Sequence, residues 1–381
     1  MVNRPAEGSP VEARSALLIY VEPTPYRLGL IRNIAQCLTV SPEVLFIASN
    51  VSQQWNLTLN ETSAAYLPAG TLAAAYEIGR RLATGRYRLV QLAGWSGRGV
   101  LICAWLLAWW HRVPIFVESD TQLPLGLPLW KRVVKRLVYP LLFRIPRKVF
   151  AAGSRQAAYF RYYGVDSERI VIDQMTVDVS DIMSRSNALR EKVSMADLRK
   201  EFGLRAGQTV FIFVGRLELY KGIGCLLEAF GKLSQLNPEA SILIVGDGPE
   251  RARVEAAAKG NESILYAGRL DYEKVIRAYN CSSVAVVPSL FEPWGLVVNE
   301  AMAVGLPVIA SDRVGCVDDL VRHDKTGLVF PSDSTEALRV SMCQLLQDPQ
   351  KCNAMGAAGR QLISGWTLEH QARKIVAAWE A

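Results

Sequence analysis

The sequence predicts an α/β protein made of two doubly wound domains that face each other across a cleft. The chain has 381 residues, which is longer than one compact core usually accommodates, so two domains are expected. Short, apolar, β-branched runs alternate with helix-length segments in both halves, which is typical of parallel sheets covered by helices on both faces. A composition of 50% hydrophobic and 21% charged residues indicates a folded globular chain rather than a disordered or membrane-spanning one.

The first half contains six runs that predict strands. In order they are ALLIYV, EVLFIAS, YRLVQLAG, VPIFVES, KVFAAGS and RIVIDQ, with helical segments such as TLAAAYEIGRRLATG between them. The most apolar segment, GVLICAWLLAWW at Gly99–Trp110, has about half of the ~20 residues that a membrane-spanning helix needs. We therefore expect a buried helix there.

The second half repeats the alternation, with the strand runs TVFIFVGRL, ASILIVGDG, SILYAGR, VAVVPS and LPVIAS. A polar stretch without a strand run separates the two series. We expect an N-terminal domain at residues 1–180, a linker at 181–207, a C-terminal domain at 208–365 and a last helix at 366–381 that packs back on the N-terminal domain. Open parallel sheets bind ligands beyond the carboxyl ends of their strands, so the loops that follow strands are expected to carry the chemistry.

The charge of the chain is uneven. Residues 1–180 hold 20 Lys and Arg against 12 Asp and Glu, and the remaining residues hold 23 against 24, so the first half carries the whole surplus of +7. No nucleic-acid motif with interleaved aromatic residues accompanies this surplus, and nucleic acid is not an expected partner. Seven scattered cysteines without a CxxC pair favour a reducing compartment, and the polar start MVNRPAEGSPVEARS has no export-signal pattern. A cytoplasmic location is expected.

Three loops after strands of the second half point to a phosphate-containing ligand. Arg216 and Lys221 follow TVFIFV just before a helix, GDGPE follows ILIV, and Gly295 precedes a helix that contains Glu300. A helix N-terminus suits phosphate, to which an arginine and a lysine add positive charge. Glu292 lies before that helix and Glu300 about two turns later. Helix geometry would let both carboxylates face one ligand roughly 10 Å apart, as in a nucleotide-sugar site.

At these residues the sequence resembles a known family. FVGRLELYKG, LIVGDGPE and PSLFEPWGLVVNEAMAVGLPVIASDRVGCVDDLV, followed by TGLVF, are similar to the donor half of family 4 retaining glycosyltransferases of the GT-B fold, which has two Rossmann-like domains. The Glu-x7-Glu element of that family corresponds to Glu292 and Glu300. The resemblance is strong from about residue 209 to 331 and weak in the first half.

The resemblance implies roles for these residues. Arg216 and Lys221 would neutralise the donor diphosphate and assist its departure, Glu292 would face the transferred sugar, and Glu300 would bind ribose hydroxyls. The remaining donor-binding positions would be Gly215, Arg269, Leu270, Gly295, Leu296 and Val297. The resemblance also implies that no metal or other cofactor is required.

Ordinary structural roles remain open for several of these residues. Glu292 alone would fit a helix cap and Glu300 alone an exposed helical residue, while GDGPE is also a common turn. The first half departs from the family pattern, because the loop EPTPYRLG has no glycine pair and ESDTQ has no histidine. We expect Tyr26, Arg27, Glu118 and Asp120 on the acceptor side, where a turn or N-cap role is an equal alternative.

The segment LWKRVVKRLVYPLLFR predicts a basic amphipathic helix. Its apolar residues repeat at i+4, and the basic residues Lys131, Arg132, Lys135 and Arg136 lie on the opposite face. Two interpretations remain open: a helix resting on an anionic membrane surface, or a domain helix with its apolar side in the core. The acid-free run around it at residues 121–165, with nine basic residues, favours a membrane or a polyanionic acceptor.

The leading functional hypothesis is a glycosyltransferase, of the hexosyltransferase type, that moves a sugar from a nucleoside diphosphate sugar to a glycan or lipid-linked acceptor with retention. A nucleotide-sugar-binding scaffold without turnover is one alternative. A glycoside hydrolase using Glu292 and Glu300 is a second, although such carboxylates lie ~5 Å apart across the sugar bond in retaining hydrolases. No GxGxxG follows the first strand, which disfavours a dehydrogenase.

Overall fold

The computed structural model describes residues 15–49, 64–95, 99–123 and 126–381. Within these residues the chain forms two sheets, one of seven strands in the order β3-β2-β1-β4-β5-β6-β7 and one of six in the order β10-β9-β8-β11-β12-β13. Every strand pair is parallel. The prediction of two doubly wound α/β domains is confirmed.

Strands and helices alternate along the described residues of the N-terminal domain. The elements are β1 Ser15–Tyr20, α1 Pro25–Gln36, β2 Glu43–Phe46, β3 Ala64–Tyr66, α2 Thr71–Leu82, β4 Tyr87–Ala93, α3 Gly99–Trp110, β5 Ile115–Ser119, α4 Leu129–Leu142, β6 Lys148–Ala151, α5 Ser154–Tyr162 and β7 Ile170–Ile172.

The second series begins with two helices and ends with three. The elements are α6 Val179–Lys192, α7 Met195–Glu201, β8 Thr209–Val214, α8 Ile223–Leu236, β9 Ala240–Val245, α9 Arg251–Gly260, β10 Ile264–Gly268, α10 Tyr272–Asn280, β11 Val284–Val287, α11 Leu296–Val304, β12 Val308–Ser311, α12 Val317–Leu320, β13 Gly327–Phe330, α13 Thr335–Gln347, α14 Pro349–Ile363 and α15 Leu368–Glu380. A 3₁₀ turn at Leu219–Lys221 precedes α8.

All eleven predicted strands are present, and the structure adds β3 and β13. Both added strands lie at a sheet edge and contain three and four residues, too few for the apolar alternation on which a sequence prediction depends. The segment expected as a linker contains most of α6 and all of α7. Ile182 and Leu198 anchor these helices in the core of the C-terminal domain.

Helices cover both faces of each sheet. In the N-terminal domain α2, α3 and α5 cover one face, whereas α1 and α15 cover the other. Helix α15 therefore returns from the C-terminal domain to complete the N-terminal core. Its Trp379 indole donates to Gln91 Oε1 at 2.8 Å, and its Gln371 amide donates to Asp173 Oδ2 at 2.7 Å. Among the described residues, no helix is long and apolar enough to cross a bilayer. The N-terminal residues interpreted as lacking an export signal lie outside the described residues, except for Ser15.

Candidate active site

A glycine brings Lys221 against the loop that follows β11. The 3₁₀ turn after β8 ends at Lys221, and Gly222 adopts the left-handed conformation with φ +73° before α8 begins. A Cβ at Gly222 would lie 2.0 Å from the carbonyl oxygen of Pro288, so only glycine permits this close approach. Gly222 thus fixes the backbone of Lys221 beside the loop that follows β11.

Lys221 forms an ion pair with Glu292, and both side chains are largely sheltered, with 17% and 13% of their area exposed. The Ser289 hydroxyl also donates to Glu292 Oε2, at 3.3 Å. The Glu292 backbone is bound on both sides, because its N–H donates to Arg313 O at 3.2 Å and its carbonyl accepts from Gly315 N at 2.9 Å. The carboxylate is therefore held in a defined position beside the lysine.

Helix α11 begins directly after this ion pair. Gly295 is its N-cap residue with φ +102°, and a Cβ there would lie 2.9 Å from Val314 Cγ1. In the part of the chain that the structure describes, no side chain caps the helix, so the first-turn amides of Leu296 and Val297 can receive an anionic ligand. A helix N-terminus, a lysine and a carboxylate therefore lie next to one another.

Glu300 lies in the second turn of α11. The Tyr279 hydroxyl donates to Glu300 Oε2 at 2.9 Å, and burial raises the pKa of this carboxyl to about 7. Because the helix starts only at Leu296, helical periodicity does not relate Glu292 to Glu300 as expected from the sequence. The position of Glu292 depends instead on its β-bridge to Val314.

The other predicted donor residues follow strands of the same sheet but do not all converge. Gly215 follows β8 and donates its N–H to Val245 O at 3.0 Å. The Arg216 side chain is 46% exposed and pairs with Glu218, not with the Lys221–Glu292 pair. Arg269 is exposed after β10, while Leu270 packs against the C-terminal core. Glu218 holds the Arg216 guanidinium in this structure, and the binding of one anion by Arg216 and Lys221 stays a prediction.

The opposite wall of the cleft contains a cavity of about 320 Å³ at the carboxyl ends of the N-terminal strands. Thr24 caps α1, which puts Tyr26 and Arg27 in the first turn of that helix. The Arg27 guanidinium pairs with Glu118 at 2.6 Å and lies 4.3 Å from the centre of the Tyr20 ring. All four predicted acceptor-side residues line this cavity.

Burial controls the acid–base properties of this wall. It raises the pKa of the Glu118 carboxyl, although the Arg27 guanidinium acts in the opposite direction. It also raises the pKa of Asp173, which follows β7, to about 7. The Gln91 amide donates to Glu118 Oε2 at 2.9 Å, so the Arg27–Glu118 pair is fixed on both sides.

Asp120 connects the two walls. Desolvation inside the cleft raises the pKa of its carboxyl, and the negative charge of Glu292 adds to the rise. Two residues further on, the Gln122 amide donates to Glu292 O at 2.8 Å and to Arg313 O at 3.0 Å. The loop after β5 is thereby held against the backbone of the Glu292 segment, two residues beyond Asp120.

Sequence reasoning missed four residues that complete this arrangement. Trp294 is 2% exposed and stacks on Trp366, with the ring centres 5.8 Å apart. Its indole also lies against Gly153, where a Cβ would be 2.4 Å from the ring. The Gln156 amide crosses the domains to Pro293 O at 2.7 Å. The tryptophan in FEPWG was a visible signal, whereas Gly153 and Gln156 acquire their roles only through the domain contact.

Two residues that line the cavity each contain a buried polar atom. The Tyr20 hydroxyl and the Trp95 indole N–H are buried without a hydrogen-bond partner among the described residues, and both side chains line the cavity. Buried polar groups are normally hydrogen-bonded, so these two indicate that a hydroxylated ligand or ordered water belongs there.

The sequence model of the family described as glycosyl transferases group 1 matches residues 194–362. These residues form a glycosyl transferases group 1 domain. The group 1 domain contains every predicted donor residue, from Gly215 to Glu300. The cavity residues of the N-terminal wall lie outside the matched segment.

Relatives of characterised function resemble the group 1 domain and part of the preceding sequence. Sulfoquinovosyl transferase SQD2 of Arabidopsis thaliana is 30% identical over 266 residues, which are 67% of this chain and 48% of that protein. D-inositol 3-phosphate glycosyltransferase of Rhodococcus jostii is 30% identical over 222 residues, 56% of this chain and 47% of that protein. The chain therefore spans less than half the length of both relatives.

A solved structure resembles the whole architecture. The crystal structure of Anabaena Alr3699/HepE in complex with UDP has a TM-score of 0.77 and 18% identity, and the match covers 95% of this chain and 98% of that one. The GT-B fold expected from the resemblance is thereby confirmed, with the group 1 domain as its C-terminal half.

Proposed function

We propose that the protein is a retaining glycosyltransferase, of the hexosyltransferase type, that moves a sugar from a nucleoside diphosphate sugar to a glycan or lipid-linked acceptor. The observation that carries this proposal is the Lys221–Glu292 pair at the N-terminus of α11, against which the loop after β5 of the other domain packs through Gln122. One cation, one helix start and two carboxylates at a domain junction suit a substrate that has a phosphate at one end and hydroxyls at the other.

The donor lies along α11 in this proposal. Its diphosphate binds the amides of Leu296 and Val297 and the Lys221 ammonium, and its sugar hydroxyls donate to Glu292. Glu300, eight residues further on, accepts hydrogen bonds from the ribose. Arg216 reaches the diphosphate once it leaves Glu218, which its exposed position after β8 allows.

The transfer step needs charge stabilisation more than a covalent partner. The bond between the anomeric carbon and the diphosphate oxygen breaks with its electron pair on the phosphate, where Lys221 and the helix N-terminus stabilise the negative charge. An acceptor hydroxyl oxygen forms the new bond on the same face of the sugar. Its proton passes to the departing phosphate, and no metal ion takes part.

The acceptor occupies the N-terminal cavity. Asp120 and the Tyr20 hydroxyl would accept or donate hydrogen bonds to a polyhydroxylated acceptor, and the Arg27–Glu118 pair would fix the shape of the floor. The relatives support a transfer reaction, since they are a sulfoquinovosyl transferase and an inositol phosphate glycosyltransferase, and the UDP complex supports a nucleotide donor.

A panel of UDP-, GDP-, ADP- and dTDP-sugars tests the proposal by thermal shift and by hydrolysis, with and without a chelator. We expect one nucleotide to raise the melting temperature and its sugar form to be slowly hydrolysed, with no change on chelation. No response to any nucleotide would contradict the donor site. Nucleotide binding without release or transfer of sugar in any acceptor extract would favour the binding scaffold instead.

A further inference from the structure

Helix α4 turns its apolar side to solvent. None of its residues is buried, and its seven outward aliphatic and aromatic residues are between 42% and 73% exposed. These residues are Leu129, Trp130, Val133, Val134, Leu137, Val138 and Leu141. At about 100° per residue they occupy one half of the helix circumference. Of the two interpretations left open by the sequence, the domain helix with its apolar side in the core is therefore wrong.

The helix is anchored from its other side and at its end. Tyr139 packs against the N-terminal core, with its ring centre 4.9 Å from that of Tyr163, and Phe143 just after the helix is 1% exposed. These two contacts fix the orientation of α4 without using any of its seven outward apolar residues. The exposed arc is thus a feature of the folded protein.

Helix α3 adds a second apolar stripe on the same side of the sheet. Ile102, Leu106, Trp109 and Trp110 are between 51% and 75% exposed and follow helical spacing. The opposite side of α3 is buried in the core against which Tyr139 packs. We call the outward residues of α3 and α4 the two-helix face.

Basic residues border the apolar arc. Lys131 and Arg136 flank it on its two sides, with Arg132 and Lys135 behind them, and residues 121–165 contain no acidic residue. Long basic side chains beside an apolar, tryptophan-containing surface are the pattern of helices that lie in the interface of an anionic bilayer. Two copies of this face would bring eight like charges together, which disfavours a dimer through it.

We propose that the two-helix face binds the surface of an anionic lipid bilayer, with the apolar residues of α4 and α3 in the headgroup region, Lys131 and Arg136 at the edges of the arc contacting lipid phosphates, and Arg132 and Lys135 adding positive charge from behind the arc. Binding through this face does not depend on sugar transfer. If the proposed transfer is correct, the same contact would present the N-terminal cavity to an acceptor that is itself embedded in the membrane.

Vesicle flotation of the full chain tests the proposal. We expect the protein to float with vesicles of phosphatidylcholine mixed with phosphatidylglycerol and to remain largely unbound with phosphatidylcholine alone. Replacing Lys131, Arg132, Lys135 and Arg136 with glutamine should lower partitioning by at least about tenfold, since each basic residue near an anionic surface contributes measurably. Leu137→Asn combined with Leu141→Asn should reduce binding to a similar degree.

Matched controls lie on the C-terminal domain. Glutamine at the exposed positions Lys192, Arg205, Lys259 and Lys325 removes the same charge, and Leu236→Asn with Val340→Asn removes similarly exposed apolar groups. Both controls should float like the wild type. Circular dichroism and the nucleotide-induced thermal shift should be unchanged in all four variants, which separates lost membrane binding from misfolding and from loss of the donor site.

Three results would overturn the proposal. The wild type could fail to float with anionic vesicles, the α4 variants could float as well as the controls, or sedimentation could reveal a dimer that Leu137→Asn and Leu141→Asn dissociate. The last result would assign the two-helix face to a second copy of the chain.

Discussion

The two walls of the cleft are assembled in different ways. On the C-terminal wall, the residues from Ser289 to Glu300 are close in sequence, and Lys221 and Tyr279 join them from preceding elements. On the N-terminal wall, Tyr20, Arg27, Glu118, Asp120 and Asp173 lie in or directly after β1, α1, β5 and β7, which span more than 150 residues of sequence.

This difference determines what each wall tolerates. The C-terminal wall depends on glycines that let backbone segments approach, as Gly222 and Gly315 do. Its Lys221–Glu292 pair is about as sheltered as the Arg27–Glu118 pair, but it lies beside the N-terminus of α11. The N-terminal wall depends on desolvated charges that neutralise one another. Changes on the first wall should mainly affect donor chemistry, and changes on the second should affect folding as well as acceptor use.

The largest effect is expected from Lys221→Ala. Removing the ammonium deprives the departing diphosphate of its closest cation, so turnover with the identified sugar donor should fall by about 10²–10³-fold while the protein stays folded. Arg216→Ala should give a smaller loss, about tenfold, because its side chain starts from an exposed position. Turnover is measured at saturating donor.

Lys232→Ala is the matched control for Lys221, since it removes an exposed lysine of α8 that pairs only with a neighbouring glutamate. Its turnover should equal that of the wild type. Full activity in the Lys221 variant would refute the role assigned to that residue.

Glu118→Gln should have the next largest effect, on stability. The substitution leaves the Arg27 guanidinium without its ion-pair partner inside the cavity, which should lower the free energy of unfolding by about 3 kcal/mol. Urea denaturation at neutral pH measures this change in the free energy of unfolding. Glu336→Gln breaks an exposed pair with Arg339 and should leave the unfolding midpoint unchanged. Equal midpoints for the two variants would show that the N-terminal wall does not depend on its buried pair.

Asp120→Asn should impair use of the acceptor without impairing binding of the donor. The variant keeps the shape of the loop and the Gln122 contacts but removes the charge that faces Glu292, so kcat/KM for the acceptor should fall by about 10²-fold. Donor-induced thermal shift should be unchanged. A loss of donor binding equal to the loss of activity would instead place Asp120 on the donor side.

Glu300→Gln should have the smallest effect. We expect it to weaken nucleotide binding and to raise the free energy of unfolding at pH 8. Nucleotide affinity should fall by about tenfold at pH 8, because a carboxylate accepts ribose hydrogen bonds better than an amide. Burial raises the pKa of Glu300 from its ordinary 4.5 to about 7, so the folded protein keeps a proton that the unfolded chain releases. The contribution of Glu300 to stability therefore decreases as the pH rises from 4.5 through 7.

The variant should accordingly be more stable than the wild type at pH 8, by about 2 kcal/mol, and equal to it at pH 4. Urea denaturation at both pH values measures this difference in the free energy of unfolding. Burial also raises the pKa of Asp173 to about 7, but Asp173 is present in both proteins and its effect cancels in the comparison. A variant that is less stable than the wild type at pH 8 would contradict the desolvation of Glu300.

The sequence by itself determined the α/β alternation and the strands of both sheets except the two short edge strands, and it singled out Lys221, Glu292 and Glu300 as candidate donor residues. Hydrophobic periodicity is a local property, and the residues from Glu292 to Glu300 are close enough in sequence for their chemistry to be recognised together. Tertiary structure decided the rest. The contacts of Gln122 with the backbone of Glu292 and Arg313, and the clustering of Arg27, Glu118 and Asp173, depend on how distant segments pack.

Helices α4 and α15 illustrate the same limit. Both are amphipathic and both contain a tryptophan, yet α15 buries its apolar side on the N-terminal sheet and α4 exposes its own. Amphipathicity fixes which residues share a face, since that follows from 3.6 residues per turn. Which face meets the core depends on anchoring contacts such as those of Tyr139 and Phe143, and these form only in the folded chain.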